Sequence, residues 1–396
     1  MMRTSEARRI ALLSGAACAG MFVFGIVMAL LGAILPSLAG RLRFETADIG
    51  TLFLVMNAAM LASSLVLGLA MDRFGMKPPL ALGPLLVAAA LALVVRATVF
   101  AGLLPAVVLL GIGGGALNGA TNTLVADLHV DPKRKSAALN LLGVFFGFGA
   151  LLLPFAIGAL LAWLSVAALL TAAAALCAAA GLFAMVLRFP APKQRTALPL
   201  ADVPRFLRSP LVLTFAFLLF FESGIEFTLG GFISTYLTHD MAVASVSLAS
   251  WILAGYWASM MISRAVLSRV MLGSDPYRTL LFCAMGACAG AVLAAIAPAP
   301  GFSALAIVLC GGSLAGIYPC ALGIAGARFA THSGTVFGIL FAVGLAGGMI
   351  FPWVAGQVGG ATSLRWVFGM IAAAFAAIIG LSRVAARVDR GQGERG

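Results

Sequence analysis

The sequence predicts an all-α integral membrane protein, with twelve transmembrane helices in two pseudo-symmetric six-helix bundles. The first observation behind this prediction is composition. Of the 396 residues, 62% are hydrophobic and 10% are charged, whereas about a quarter of residues are charged in a soluble domain. The second observation is that the apolar residues form long runs. The third is that short parts of the first half recur in the second half.

The apolar runs number twelve, and each is long enough to cross a membrane, which takes about 20 residues for a ~30 Å hydrocarbon core. Because hydrocarbon offers the backbone no hydrogen-bond partners, each run is expected to be a helix. A transmembrane barrel is excluded, since the runs do not alternate with a period of two. The approximate spans are 10–39, 47–71, 79–99, 102–127, 136–164, 166–187, 211–237, 245–267, 279–297, 301–329, 333–358 and 363–383.

An internal repeat relates the two halves at an offset of 198 or 199 residues. Segments 25–34 and 224–233 share five of ten residues, and three further glycine or proline positions of the fifth span recur in the eleventh. We therefore predict an N-terminal bundle at 1–187, a cytoplasmic linker at 188–210, and a C-terminal bundle with a short cytoplasmic tail at 211–396. Duplicated halves of this kind hold their substrate site near the membrane midplane between the bundles.

The net charge of +12 is explained by membrane topology. If both termini are cytoplasmic, all but four of the 25 Lys and Arg residues lie at cytoplasmic ends or loops. This is the positive-inside bias of a polytopic protein, so a nucleic-acid partner is not indicated. We predict a bacterial inner-membrane protein that works as a monomer in the lipid bilayer.

The loop after the second span carries the pattern Gly-x-x-x-Asp-Arg-x-Gly-x-Lys, made of Gly68, Asp72, Arg73, Gly75 and Lys77. The pattern resembles the signature of the major facilitator superfamily, and this resemblance covers the whole chain. It implies the major facilitator fold and a gating role for the loop, in which Asp72 latches onto the start of the eleventh helix.

Other helices resemble the fucose:proton symporter branch of that superfamily. The resemblance rests on the asparagines of the fourth span, on the acidic residue and the Gly-Gly pair of the seventh span, and on an arginine late in the eighth span. The sequence departs from the branch at Gly32 and Asn118, where the branch often has acidic residues that carry protons. If protons are coupled to transport here, Glu226 or Glu222 must carry them.

The seventh span is the most informative, because Glu222 and Glu226 lie four residues apart within it and share one helix face. A charged residue at the centre of a membrane helix costs about 3 kcal/mol on insertion scales. Glu222 either faces a hydrated lumen or pairs with Arg264. Arg264 itself either extends to the membrane surface or pairs with a glutamate of the seventh span. We assign Arg264 and Asp127 to gating.

Candidate substrate-binding residues are amides, which match sugar hydroxyls, and aromatic rings, which pack on sugar C–H faces. The alternative for the amides is hydrogen bonding between helices, and for the aromatic residues it is packing or an interfacial belt. The candidates are Asn118, Asn122, Asn57, Asn140, Tyr256, Trp257, Tyr318, Trp251 and Trp353.

These observations predict a secondary transporter that moves a small polar solute by alternating access, and a monosaccharide is the first candidate for that solute. Proton coupling through Glu226 or Glu222 makes it a symporter. The alternatives are a proton-coupled drug or metabolite exporter and an uncoupled sugar facilitator. An enzyme is not indicated, because no catalytic cluster stands out, and we predict no cofactor or metal.

Overall fold

The computed structural model describes residues 2–128, 132–190, 203–270, 274–329 and 333–393. This part of the chain is helical, with one short 3-10 turn at Phe100–Gly102 and no strand. The helices are α1 (Met2–Leu42), α2 (Thr46–Phe74), α3 (Lys77–Arg96), α4 (Leu103–Leu128), α5 (Pro132–Leu160), α6 (Val166–Val186), α7 (Val203–Phe206), α8 (Pro210–His239), α9 (Val246–Val270), α10 (Pro276–Ala295), α11 (Pro300–Leu314), α12 (Ile317–Arg328), α13 (Ser333–Ala361) and α14 (Leu364–Gly393).

The predicted number of membrane spans is confirmed for the described residues, in which twelve stretches are long and apolar enough to cross a bilayer. α7 is a single turn within the predicted linker. Residues 191–202 of that linker lie outside the described ones. The seventh span is α8 and the eighth is α9.

The tenth span differs from the prediction of one continuous helix, because it consists of α11 and α12 with a break at Ala315 and Gly316. The cause is Pro319. Its nitrogen has no hydrogen to donate to the carbonyl of Ala315, and its ring crowds that carbonyl. The break places Tyr318 in the first turn of α12.

The chain divides into two compact units. The N-terminal unit contains residues 1–44 and 55–195, and the C-terminal unit contains residues 45–54 and 196–396. The first ten residues of this second group come from the start of α2.

In the N-terminal unit, α1 packs most extensively on α5. The two backbones meet at glycines: a Cβ on Gly149 would lie 3.1 Å from the Cα of Gly25 and would collide with the carbonyl oxygen of Phe22. Glycine is therefore required there, because any side chain would force the helices apart.

The C-terminal unit repeats this crossing with the residues that the sequence repeat relates. α8 packs most extensively on α13. A Cβ on Gly347 would lie 2.6 Å from the carbonyl carbon of Phe220 and would collide with its oxygen, while a Cβ on Gly224 would lie 3.1 Å from the Gly347 oxygen. The internal repeat thus corresponds to the same first-to-fifth helix contact in each unit.

The far end of α8 is fixed by hydrogen bonds within the C-terminal unit. The Tyr236 hydroxyl donates to the carbonyl of Ala294 at 2.8 Å. Asp240, which follows α8, accepts from the Ser363 hydroxyl at 2.5 Å and from the Arg365 amide at 3.2 Å. The Asp240 carboxylate therefore caps the start of α14, and α8 is held against two neighbouring helices.

The start of α2 also packs on α8 within the C-terminal unit. A Cβ on Gly231 would collide with two carbon atoms of the Phe53 ring. The ring therefore already fills the space beside Gly231. The Phe53 ring lies 6.3 Å from that of Phe232 and 6.4 Å from that of Phe227, measured between centroids. The absence of a side chain at Gly231 therefore makes room for an aromatic ring.

Candidate functional site

Both glutamates of α8 are buried inside the C-terminal unit. Glu222 is 1% exposed and Glu226 is 8% exposed. Their spacing of four residues places them one turn apart on one helix face. Burying a carboxylate without a partner is costly, so both side chains are expected to have polar neighbours.

The partner of Glu226 is Arg264 of α9. Its Nη2 lies 3.8 Å from Glu226 Oε1, and the Arg264 side chain is 28% exposed. Of the two alternatives that the sequence left open for Arg264, the structure supports pairing with a glutamate of the seventh span. An ion pair of this kind offsets part of the cost of placing each charge within a membrane span.

Two tyrosines lie within electrostatic range of both glutamates and Arg264, namely Tyr256 of α9 and Tyr318 of α12. Tyr256 is fully buried, and its ring occupies the space left by Gly311, where a Cβ would lie 2.5 Å from the ring. Its hydroxyl has no hydrogen-bond partner among the described residues. Tyr318 is half-buried, and its ring stacks on that of Phe341 with centroids 6.4 Å apart.

These five side chains form what we call the α8 polar cluster: Glu222, Glu226, Tyr256, Arg264 and Tyr318. The cluster contains two carboxyl groups and one guanidinium. A proton on one carboxyl group therefore makes the set electrically neutral, whereas two carboxylates leave it with one negative charge. Such a set is able to bind and release one proton, and its tyrosine hydroxyls are able to donate or accept hydrogen bonds.

The amides of the fourth span belong to the N-terminal unit and contact each other. Asn122 Nδ2 donates to the Asn118 carbonyl at 2.8 Å and lies 3.3 Å from Asn118 Oδ1. Asn57 of α2 is fully buried. The side chain of Asn140 lies outside the described part of the structure.

The three candidate tryptophans divide into two groups. Trp257 is 1% exposed, and its ring packs edge-on against that of Tyr256 with centroids 5.1 Å apart. Trp251 and Trp353 are 43% and 40% exposed. The structure therefore brings Trp257 next to the α8 polar cluster and leaves the other two tryptophans on accessible surface of the C-terminal unit.

The predicted latch residues lie around the end of α2 and the start of α3. Gly75 has φ 76°, and its N–H donates to the Met71 carbonyl at 2.9 Å, so it ends α2 in the left-handed conformation that glycine favours. Arg73 is exposed, with its Cζ 5.3 Å from the Phe74 ring centroid, and Lys77 begins α3. Gly68 and Asp72 lie outside the part of the structure whose side chains are described. Asp127 is half-buried near the end of α4.

The described histidines, cysteines and acidic residues are dispersed. No three His, Cys, Asp or Glu side chains are grouped there to hold a metal ion. All six cysteines have reduced side chains that are buried or half-buried.

Sequence reasoning missed two contributors to the site. Ser223 lies next to Glu222 and donates from its hydroxyl to Glu222 Oε2 at 3.3 Å, and no pattern in the sequence marks it. The helix break before Tyr318 was also missed, although Pro319 is a visible signal for it.

Comparison with known proteins identifies the family. The model of the Major Facilitator Superfamily matches residues 17–271, which is more than half of the chain. No curated protein is significantly similar in sequence.

Solved transporter structures share the fold at low identity. The nucleoside transporter NupG has a TM-score of 0.74 and 15% identity, over 95% of this chain and 98% of that chain. A variant of the E. coli fucose:proton symporter FucP has a TM-score of 0.67 and 19% identity, over 95% and 99%. A bacterial homologue of the human lysosomal transporter Spinster has a TM-score of 0.74 and 14% identity, over 97% of each chain.

Proposed function

The chain belongs to the Major Facilitator Superfamily of membrane transporters, and from this premise we propose that it is a secondary transporter that works by alternating access. It moves a small polar solute, for which a monosaccharide is the first candidate. The observation that carries the proposal is the α8 polar cluster. Two carboxyl groups and an arginine are retained inside a membrane-spanning unit, where each charge is costly. A path for a polar solute or a proton gives these charges a use.

We further propose that Glu226 and Glu222 couple transport to protons. In the proton-loaded form the cluster is neutral, and proton release restores its negative charge. Coupling requires that the contacts of the cluster differ between its neutral and its negative state. These contacts are made either to the solute or to the helices that enclose the solute. The ion pair between Glu226 and Arg264 is the contact that protonation of Glu226 weakens.

A monosaccharide is the first candidate because the chain offers both kinds of group that bind sugars. The amides of Asn118 and Asn122 supply donors and acceptors, and the rings of Tyr256 and Trp257 supply apolar faces next to the carboxyl groups. The similar solved structures include a nucleoside transporter and a fucose:proton symporter. At these identities they inform only the choice of solutes to test.

The test is uptake of radiolabelled solutes into proteoliposomes, with and without an imposed pH gradient. The panel contains monosaccharides, nucleosides, organic anions and lipophilic cations. Saturable uptake of a sugar to an internal concentration above the external one, driven by the pH gradient, supports the full proposal. If the sugar only equilibrates and the gradient has no effect, the protein is an uncoupled facilitator. Transport of lipophilic cations alone, in exchange for protons, would replace the proposal with the drug-exporter alternative.

The membrane orientation is proposed from charge placement. The arginines and lysines concentrate at the ends that we assign to the cytoplasm, so we propose a bacterial inner-membrane protein with both termini cytoplasmic. Labelling of cysteines introduced near each terminus by an impermeant maleimide, in intact and opened cells, tests this orientation.

A further inference from the structure

A second feature of the C-terminal unit lies on the seam between α10 and α14 and shares no residue with the α8 polar cluster. At the end where α10 begins and α14 approaches its C-terminus, a cavity of about 230 Å³ opens between the two helices. Its polar and charged lining consists of Asp275, Tyr277, Arg278, Arg383, Arg387 and Arg390, together with Ser382. We call this cavity the basic pocket.

The basic pocket carries excess positive charge. Arg278 Nε lies 3.8 Å from Asp275 Oδ2 on exposed surface. In the described part of the chain no ion pair involves Arg383, Arg387 or Arg390. The nearby carboxylate of Asp389 is already engaged, because it pairs with Arg328 at 3.1 Å and accepts from the Tyr277 hydroxyl at 3.1 Å.

The spacing of the α14 arginines explains why they reach the same pocket. Residues 383, 387 and 390 are separated by four and three positions, so their side chains follow one face of the helix. Guanidinium groups bind phosphate oxygens in pairs of parallel hydrogen bonds. The pocket therefore suits a phosphate-bearing anion.

An apolar groove lies one helical turn beyond the basic pocket on the same seam. Its volume is about 480 Å³, and it is lined by Met285, Cys288, Ala289, Val292, Leu293 and Ile379. Leu281 of the basic pocket and Met285 of the groove are one helical turn apart on α10. The positive end and the apolar length are thus arranged in the order of a phospholipid headgroup and its acyl chain.

We propose that this seam binds an anionic phospholipid, with its phosphate in the basic pocket and one acyl chain in the apolar groove. The groove selects a lipid over a soluble phosphate, because a soluble anion leaves the apolar surface without a partner. The arginines select an anionic lipid over a zwitterionic one. Each basic residue near an anionic headgroup contributes about a fivefold gain in affinity.

The experiment is native mass spectrometry of the full chain, purified and equilibrated with micelles that contain equimolar phosphatidylglycerol and phosphatidylcholine. We expect the wild type to retain phosphatidylglycerol preferentially. The triple variant Arg383→Gln/Arg387→Gln/Arg390→Gln is expected to lose this preference. The matched control Arg188→Gln/Arg205→Gln/Arg208→Gln removes the same charge from exposed arginines outside the seam, and it is expected to retain the preference.

Two further arms distinguish a lipid from a soluble anion. Ala289→Trp fills the apolar groove without changing charge, and it is expected to reduce phosphatidylglycerol retention. Excess inorganic phosphate is expected to leave the bound lipid in place. If phosphate displaces phosphatidylglycerol and Ala289→Trp retains it normally, the site is only an anion pocket and the proposal is overturned. Equal retention of phosphatidylglycerol and phosphatidylcholine by the wild type would also overturn it. If the triple variant does not fold, Arg387→Gln alone carries the test, with an expected loss of about fivefold.

Discussion

Arg264 Nη2 and Glu226 Oε1 lie 3.8 Å apart and connect α9 to α8 within the membrane-spanning part of the C-terminal unit. Each charge alone would cost about 3 kcal/mol at the centre of a membrane helix. The pair offsets part of that cost, and Glu222 lies buried one turn away on α8. Because this contact joins two charges that the proposed function uses, it supplies the first two predictions.

Glu226→Gln is expected to abolish accumulation of the solute driven by a pH gradient while preserving exchange of labelled for unlabelled solute. The amide keeps the shape of the carboxyl group but does not titrate, so exchange should stay within about twofold of wild type. Both activities are measured in the same proteoliposomes. Glu222→Gln is the parallel variant, and it shows which carboxyl group carries the proton. Gradient-driven accumulation that survives in both variants would remove the glutamates from the coupling mechanism.

Arg264→Gln is expected to destabilise the protein more than the double variant Glu226→Gln/Arg264→Gln. Removing one partner leaves a buried charge without compensation, at a cost of up to about 3 kcal/mol, whereas removing both leaves two neutral amides. Thermal unfolding of the wild type, both single variants and the double variant in one detergent completes a double-mutant cycle. Additive effects of the two substitutions would mean that the 3.8 Å contact is not an energetic pair.

The sequence was sufficient to predict the membrane spans, because twenty apolar residues in a row leave few other structures. It also located the buried glutamates, since an acid within an apolar run is conspicuous. It left open whether Arg264 pairs with a glutamate or extends to the membrane surface, because the rotation of α9 relative to α8 depends on packing, for example on the space that Gly311 leaves for Tyr256. The basic pocket was missed for the same reason, as its arginines come from helices about 100 residues apart in sequence.

Gly347→Ala is expected to reduce the stability of the C-terminal unit by about 1–3 kcal/mol, the usual range for overpacking. The new methyl group would lie 2.6 Å from the carbonyl carbon of Phe220, and backbone atoms are unable to move aside independently. Gly338→Ala is the matched control on the same helix, because a Cβ there meets no atom within 4 Å. Folded yield and thermal unfolding measure the difference, and equal stability of the two variants would contradict the observed α8–α13 crossing.

A disulfide between Ala47 and Gly360 tests whether the start of α2 must separate from α13 during transport. A Cβ built on Gly360 lies 3.6 Å from the Ala47 Cβ, which is within the 3.5–4.5 Å range typical of disulfides. Under the proposed alternating access, the variant Ala47→Cys/Gly360→Cys should lose transport on oxidation by copper phenanthroline and recover it with dithiothreitol.

The controls for this cross-link are the oxidised wild type and the two single cysteine variants. All three are expected to keep transporting, since the six native cysteines are buried or half-buried. Formation of the cross-link is checked by mass spectrometry of the linked peptides. Full transport by a completely cross-linked protein would show that α2 and α13 stay together throughout the cycle. In that case the solute path does not open between residues 45–54 of α2 and α13, and the alternating-access proposal would have to place the moving contact on other helices.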